Sequence, residues 1–430
     1  MRTRHPFLCL LITAALAFPA ISLPGEAQAE LITTQTILSY AGPLPAGIVS
    51  VKLENLAGHL SVTQGSRFQV TATVMAGGKD QAAAQALAES VHFDTNQSGN
   101  GITLHVHYPV DQYSSYNYPN SDNSSAGSNG SNGSNGSNGS NFCFIGVFCV
   151  NDGGNNLSYQ GREVHVYRNG NRGTPLHVDL VVQVPAGMAL ALVNYAGFTE
   201  ANGIKNDLRV KTSNGDVRVS DMHGQFAADT GSGDVHVADL TGDFTADTGS
   251  GDVFAEHVTG NVHADTGSGA VHVSDSSSQT LYADTGSGDV MFSNVKGDMK
   301  LDTGSGDVHI NGAHGSLHAD TGSGDVFAKN YTGGASVWAD TGSGDVSLAG
   351  DLSAMRKLYI DTGSGDATLK TTAGLSLHLD ASSDSGSIVI NLPDMHNAAT
   401  HHGEFIADFG KVEGQGTIST GSGDINISQQ

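Results

Sequence analysis

Residues 302–308 read Asp-Thr-Gly-Ser-Gly-Asp-Val, and the motif Asp-Thr-Gly-Ser-Gly occurs eight times in the second half of the chain. The eight copies begin at Asp229, Asp247, Asp265, Asp284, Asp302, Asp320, Asp340 and Asp361, at intervals of 18 to 21 residues. Weaker copies begin at Lys211, Asp380 and Ser419. A short, fixed period is typical of a solenoid, in which each repeat forms one turn that stacks on its neighbours.

Alternation assigns the buried positions of each repeat when the motif aspartate is taken as position 0. Apolar residues recur at −3, −1, +6 and +8, so that two short strands flank a Thr-Gly-Ser-Gly turn. Position +6 is valine in seven copies: Val235, Val253, Val271, Val290, Val308, Val326 and Val346. The pattern predicts an all-β fold, a parallel β-helix of about eleven turns of ~18 residues. We expect the turn glycines to supply positive φ at the bends.

The N-terminus has the features of a secretory signal peptide over residues 1–29. Arg2 and Arg4 precede a short apolar run, and Ala27-Gln28-Ala29 resembles a cleavage site, so we expect a mature chain that begins at Glu30. No later apolar run approaches ~20 residues, which predicts no transmembrane segment after processing.

The remaining chain divides into three parts by composition. Residues 30–110 predict a small, mainly-β segment without repeats and with one helix over 79–91. Residues 111–160 form a linker rich in Ser, Asn and Gly that ends in an apolar loop between Cys143 and Cys149. Residues 161–430 contain the repeat domain, with an insertion at about 393–412.

Cys143 and Cys149 could form a disulfide in an oxidising compartment. The apolar loop between them either covers one end of the solenoid or forms an exposed tip that touches a partner.

The chain is acidic, with a formal net charge of −24 at pH 7. This charge argues against nucleic acid or anionic lipid as the main partner and favours cations or a basic partner.

Two ladders of aspartate run along the predicted turns, at positions 0 and +5. Like charges one turn apart repel by about 1 kcal/mol per pair in water, so something must offset the repulsion. Either each carboxylate accepts backbone N–H groups of its own turn, or Ca²⁺ binds between turns. The calcium hypothesis takes its ligands from six repeats: Asp229, Asp234, Asp247, Asp252, Asp284, Asp289, Asp302, Asp307, Asp320, Asp325, Asp340 and Asp345.

No motif predicts catalysis. Asp-Thr-Gly-Ser is also the loop signature of pepsin-like proteases, but that chemistry needs two facing loops that share a proton, whereas eight copies at one spacing form a ladder. Histidines alternate with other residues along the turns, and His396, His401 and His402 in the insertion are loosely spaced for a metal site. We therefore expect no catalytic residues and no cofactor other than Ca²⁺.

Several segments together resemble a bacterial family. These are Asn55-Leu-Ala-Gly58 followed by Leu60-Ser-Val62, the strand at 178–185 with Gly187, and the Gly-Ser-Gly-Asp-Val repeats. Over residues 45–430 the chain resembles β-strand-repeat domains of unknown function that are described as adhesins and are related to the head domains of autotransporter adhesins. The resemblance implies a β-helical envelope or surface protein and supplies no catalytic residues.

These observations favour a non-enzymatic exported protein, periplasmic or on the cell surface, that acts as an adhesin on an extracellular or envelope protein or glycan. Three alternatives remain open: a periplasmic envelope-stress or scaffold protein, a calcium-binding repeat protein, and a β-helical enzyme that acts on polysaccharides.

Overall fold

A computed structural model describes residues 32–41, 44–118, 142–144, 148–150, 157–168 and 172–430. The described chain is all-β with one helix, as the composition predicts, and many of its strands pair in parallel. It forms two compact units, which divide between Gly215 and Asp216. Within the described residues, no helix is long and apolar enough to cross a membrane. The predicted signal peptide and most of the predicted linker lie outside the described residues.

The first unit contains fifteen described strands and the helix. They are β1 (Ile32–Tyr40), β2 (Ser50–Ala57), β3 (Leu60–Gln64), β4 (Gln69–Gly78), α1 (Gln81–Glu89), β5 (His92–Ser98), β6 (Gly101–His107), β7 (Ser115–Tyr118), β8 (Phe142–Phe144), β9 (Phe148–Val150), β10 (Leu157–Tyr159), β11 (Arg162–Arg168), β12 (Thr174–Val184), β13 (Ala189–Ala196), β14 (Thr199–Asn202) and β15 (Leu208–Thr212).

Helix α1 confirms the one helix expected from the alanine-rich stretch. It begins after Asp80, whose side chain accepts the backbone N–H of Ala83 at 2.7 Å and so satisfies one of the free donors of the first turn. Its buried residues Ala84, Leu87 and Ala88 lie on one face, and the helix packs on β4 and β1.

Residues 50–64, which the sequence analysis placed in a segment without repeats, are already stacked turns. Strand β2 pairs in parallel with β13, and β3 pairs in parallel with β14. The register places Asn55 beside Asn194 and Ala57 beside Ala196. Sequence periodicity misses this stacking because the two matching segments are separated by more than a hundred residues.

The second unit contains twenty-two strands. They are β16 (Val217–His223), β17 (Phe226–Thr230), β18 (Val235–Thr241), β19 (Phe244–Thr248), β20 (Val253–Thr259), β21 (Val262–Thr266), β22 (Val271–Ser274), β23 (Ser277–Thr285), β24 (Val290–Ser293), β25 (Lys296–Thr303), β26 (Val308–Asn311), β27 (His314–Thr321), β28 (Val326–Thr341), β29 (Val346–Asp351), β30 (Lys357–Thr362), β31 (Ala367–Thr371), β32 (His378–Ser383), β33 (Ile388–Asn391), β34 (Met395–His401), β35 (Glu404–Phe409), β36 (Gln415–Thr420) and β37 (Ile425–Gln429).

Two columns of parallel strands run through the second unit, one before and one after each Thr-Gly-Ser-Gly turn. Equivalent residues stack in register, so Val235 pairs with Val253, and Ala228 with Ala246. All the positions that alternation assigned to the interior at −3, −1, +6 and +8 are buried, which confirms that part of the sequence analysis. Each fully buried valine contributes about 1.5–3 kcal/mol relative to an exposed one.

The threonine of the motif is an interior residue as well as a turn residue. The hydroxyl of Thr303 accepts the backbone N–H of Gly306 at 3.0 Å and donates to the carbonyl of Gly288, one turn earlier, at 2.9 Å. The motif threonines from Thr230 to Thr362 are all buried. They satisfy backbone groups that the tight turn leaves unpaired in the interior.

The turn glycines are needed for a reason other than the one predicted. A Cβ on Gly306 would lie 2.0 Å from the carbonyl oxygen of Gly288, because the backbones of successive turns approach closely at this corner. Gly306 has no positive φ. Positive φ occurs at another corner, at Gly242, Gly260 and Gly297 and at the non-glycine residue Asp239, so the prediction of positive φ at the bends is confirmed there and wrong for motif glycines such as Gly306.

The stacking order at the C-terminal end differs from the sequence order. Strand β36 lies between β30 and β32, and β37 lies between β31 and β33. The segment 425–427 near the C-terminus is therefore paired on both edges. The insertion forms the hairpin β34–β35, which pairs antiparallel with β32.

This order also corrects one repeat assignment. Asp380 pairs with Thr417, whereas Ser419 pairs with both Asp361 and Ser382. The turn that contains Asp380 therefore has Ser382 at position 0, two residues later than the weak motif suggested. The aspartate ladder at position 0 consequently ends at Asp361.

Candidate binding surface

Each repeat has four outward-facing positions. Two of them precede the Thr-Gly-Ser-Gly turn, and two lie at or after its end. Positions −2 and 0 lie on the strand before the turn, and we call their surface the zero face, over residues 263 to 361. Positions +5 and +7 lie at and after the end of the turn, and we call their surface the five face, over residues 234 to 345. In both cases the alternating residues point into the core.

The zero face carries an uninterrupted row of carboxylates. Successive position-0 aspartates are direct neighbours in the parallel pairing, as Asp284 is of Asp302 and Asp302 of Asp320. Burial, and then the neighbouring carboxylates Asp284 and Asp320, raise the pKa of Asp302. Burial and adjacent position-0 carboxylates likewise raise the pKa values of Asp265 and Asp340. Because every member of the row is an aspartate, no residue of the row offsets the negative charge of its neighbours.

Beside this row lies a column of rings and one cation at position −2. Its members are His263, Tyr282, Lys300, His318, Trp338 and Tyr359. The rings of His318 and Trp338 stack with centroids 4.0 Å apart and planes 8° apart. His263 stacks on Tyr282 at 4.4 Å, and the Nζ of Lys300 lies 5.1 Å from the Tyr282 ring centroid.

The stacking decides what this column offers to a ligand. Because neighbouring rings cover one another's faces, mainly their edges point to solvent. Two tyrosine hydroxyls donate to carboxylates of the same turn: Tyr282 to Asp284 Oδ2 at 2.8 Å, and Tyr359 to Asp361 Oδ2 at 3.1 Å. The zero face is therefore a surface of hydrogen-bond acceptors bordered by ring edges.

The aspartates of the five face accept hydrogen bonds from the backbone of the next turn, which the sequence analysis did not predict. The Oδ1 of Asp307 accepts the backbone N–H of Asp325, on the next turn, at 2.9 Å, and Asp289 does the same for Asp307. The expectation that each carboxylate bonds within its own turn is thus wrong for this ladder. Charge-assisted bonds between turns offset the repulsion of the stacked carboxylates.

The position +7 column of the five face also contains stacked rings. Phe254 lies between His236 and His272, with centroid distances of 4.4 and 4.8 Å and planes 5° and 9° apart. Burial, and then the charge of Arg218, lower the pKa of His236. The lowered pKa favours the neutral form of the His236 imidazole that stacks on Phe254.

The twelve aspartates proposed as calcium ligands lie in these two separate ladders. For Asp302, the carboxylates that act on its pKa belong to its own column, and for Asp234 they are Asp216 and Asp252 of the other column. Among the described residues, ligand atoms of three or more His, Cys, Asp or Glu side chains converge at two places, and neither includes any of the twelve. Calcium binding remains a prediction for a chelator experiment.

Cys143 and Cys149 lie in the strands β8 and β9, where only the backbone is described. The antiparallel register places Cys143 opposite Cys149. Opposite residues of such a pair have Cα atoms about 4.5–5.5 Å apart, which is within the range that a disulfide needs. The disulfide stays a prediction that is compatible with this register.

The histidines of the insertion are exposed on the β34–β35 hairpin. His401 and His402 are adjacent, with 3.3 Å between ring nitrogens, whereas the Nδ1 of His396 lies 3.1 Å from the carbonyl of Asp394. They do not belong to either of the two converging clusters in the described part of the chain.

A comparison with protein families places part of the chain in a domain of unknown function. Residues 239–357, less than half of the chain, match the family described as Toastrack DUF4097. Among solved structures, the chain is similar to that of a "putative cell adhesion protein" from Clostridium sporogenes, at 9% identity and a TM-score of 0.16, with 93% of this chain and 100% of that chain covered. No curated protein matches the chain.

Proposed function

We propose that this chain is a non-enzymatic, exported β-solenoid of about eleven turns that binds an extracellular or envelope surface as an adhesin. The observation that carries the proposal is the zero face, where a carboxylate and a ring or cation recur at the same positions on six turns. Such a surface offers a long ligand many equivalent contacts, each of which can be weak because their effects multiply.

The chemistry of the zero face favours a ligand that is rich in hydrogen-bond donors. Ionised carboxylates only accept hydrogen bonds, and the two tyrosine hydroxyls that border them already donate to Asp284 and Asp361. A hydroxyl-rich glycan supplies donors along its whole length. The net charge of −24 disfavours polyanions such as nucleic acid.

The proposal includes no catalytic role. Catalysis requires an acid, a base and a charge stabiliser that converge at one place. The carboxylates of the zero face instead repeat at one spacing, with similar neighbours at each turn.

Two triple variants test the role of the zero face. Asp302→Asn, Asp320→Asn and Asp340→Asn together remove three charges from it. Asp221→Asn, Asp239→Asn and Asp275→Asn remove the same charge from a corner where all three residues have positive φ, which asparagine tolerates.

The measurement is binding of the purified protein to glycan-coated surfaces. We expect the zero-face variant to lose at least about tenfold in apparent affinity through the loss of repeated contacts, and the corner variant to bind like the wild type. Equal binding by all three proteins would exclude the zero face as the binding surface.

Protease treatment of intact and permeabilised cells tests location independently. Digestion on intact cells supports the adhesin. Protection until permeabilisation would reject it in favour of a periplasmic scaffold or envelope-stress protein.

A further inference from the structure

A cluster of two histidines and one aspartate lies in the first unit. Strand β5 pairs antiparallel with β6, and the register places His92 directly opposite His107 and Asp94 opposite His105. His92 and Asp94 are two residues apart on one strand, so alternation places both on the same face as His107. Among the described strands, the one residue register that involves β5 is its pairing with β6.

The potential ligand atoms of this cluster point toward one another. The Nε2 of His92 lies 3.5 Å from Oδ1 of Asp94, and the Nδ1 of His107 lies 3.3 Å from Oδ2 of the same carboxylate. The two imidazole rings stack with centroids 4.3 Å apart and planes 21° apart. The ligand atoms of all three side chains lie within 4.8 Å of one another.

Burial, and then the charge of His92, lower the pKa of His107, while Asp94 acts in the opposite direction. A neutral imidazole has the free lone pair that a metal ion needs.

We propose that His92, Asp94 and His107 form a binding site for a divalent transition-metal ion of the zinc class. Two imidazole nitrogens and one carboxylate oxygen are ligands that Zn²⁺ takes at about 2.0–2.2 Å, with a fourth position open to water. The side chains need to close by roughly an ångström to reach zinc bond lengths. The exposed side chains of His92 and Asp94 on β5 can do so by changing rotamer, whereas His107 on β6 is half-buried. Bound metal would fasten β5 to β6 across their first and last residues.

The chemistry distinguishes this site from the calcium hypothesis. Ca²⁺ prefers six to eight oxygen ligands, whereas this site supplies two nitrogens and one carboxylate. The other converging cluster, Glu256, His257 and Asp275, has only one imidazole, and its three residues are exposed. There the Oδ1 of Asp275 already accepts from Asn294 at 3.0 Å. That cluster serves as an internal control.

The test is calorimetric titration of the full chain with Zn²⁺ and, separately, with Ca²⁺. The variants are His92→Gln, Asp94→Asn and His107→Gln, with His257→Gln as the matched control in the other cluster. We expect the wild type and the His257 variant to bind one equivalent of Zn²⁺ with the same affinity. Each variant of the proposed site should bind at least about tenfold more weakly.

Thermal unfolding of the same proteins provides the second readout. Zn²⁺ should raise the melting temperature of the wild type and leave that of the His107→Gln variant unchanged, because a ligand that binds only the folded state stabilises it. Equal melting temperatures without metal would show that the variant is folded. Wild type that binds no Zn²⁺, or binding that is lost only in the His257 variant, would overturn the proposal.

Discussion

The first unit and the repeated turns of the second unit satisfy their buried polar groups in different ways. In the first unit, Asn55 and Asn194 are fully buried side by side, and the Nδ2 of Asn194 donates to the carbonyl of Gly58 at 2.9 Å. The hydroxyl of Tyr108 lies within reach of both Asn55 Oδ1 and the carbonyl of Ala57. This network is made of different side chains and occurs once.

The repeated turns instead use one solution many times. The buried hydroxyl of each motif threonine bonds to its own turn and, in most repeats, to the previous turn, as Thr303 and Thr321 do. In the repeated turns, the buried polar groups are hydrogen-bonded by equivalent threonines, one in each turn. In the first unit, the same task falls on a few different side chains. Single substitutions should therefore differ in cost according to whether they affect backbone spacing, a unique network or one member of a ladder.

The largest effect is expected for Gly306→Ala. The added Cβ would lie 2.0 Å from the carbonyl oxygen of Gly288, and both groups belong to stacked backbones that cannot move apart without disturbing neighbouring turns. We expect a loss of more than about 3 kcal/mol in the free energy of unfolding, measured by denaturant titration. Gly374→Ala, where a Cβ meets nothing within 4 Å, is the control and should change little.

Asn194→Ala should have the next largest effect. The substitution removes the Asn194 donor from the buried carbonyl of Gly58 and one of two acceptors from the Asn55 amide, which still donates to the carbonyl of Val178 at 2.9 Å. We expect a cost of about 2–3 kcal/mol. Thermal melts of this variant and of Asn100→Ala, an exposed asparagine of the same unit, provide the measurement. A change of similar size in both proteins would refute the special role of the network.

Asp307→Ala should cost less, because it removes one acceptor from a ladder. The backbone N–H of Asp325 loses its bond to the Asp307 carboxylate, and we expect a loss of about 1 kcal/mol in chemical unfolding. Asp307→Asn retains an acceptor oxygen and should lose less. The reverse order of the two variants would contradict the bonding between turns.

Asp302→Asn should have the smallest effect, and the opposite sign. Its carboxyl has a raised pKa in the folded state, so the group contributes stability below its unfolded pKa and loses it as pH rises through the folded pKa. Removing the charge should therefore stabilise the protein at pH 7 by about 0.2–1 kcal/mol, less at high salt.

The gain from Asp302→Asn should shrink as the pH falls through the titration of Asp302. Unfolding at pH 7 and near pH 4 measures it. A constant gain at both pH values would mean that the carboxylate ladder is not its source.

The two aspartate ladders show how far sequence reasoning reached. Alternation placed position 0 and position +6 correctly, because a period of two is a property of any strand. The same pattern could not tell that the Asp307 carboxylate bonds to the following turn, whereas Asp302 is partly buried between the carboxylates of Asp284 and Asp320. That difference depends on which strand ends lie above one another in the stacked turns. The sequence does not show it, because both positions carry aspartate.

The sequence contains only part of the information that locates the His92, Asp94 and His107 cluster. His92 and Asp94, like His105 and His107, are two residues apart, which puts each pair on one face of a strand. Only the antiparallel register of β5 and β6 brings His92 opposite His107. A hairpin register is set by the turn and by packing, neither of which the spacing of histidines encodes.

The sequence by itself determined the all-β class, the repeat length and which side chains of each repeat lie inside, since a short period with alternating apolar residues permits few other solutions. The tertiary structure decided the order in which turns stack, including the placement of β36 between β30 and β32. It also decided why the motif glycines are necessary, because the clash of a Cβ with Gly288 exists only once two backbones are stacked. Stacked turns pair through backbone groups that every residue carries. The sequence therefore specifies the conformation of a turn more clearly than it specifies which other turn lies next to it.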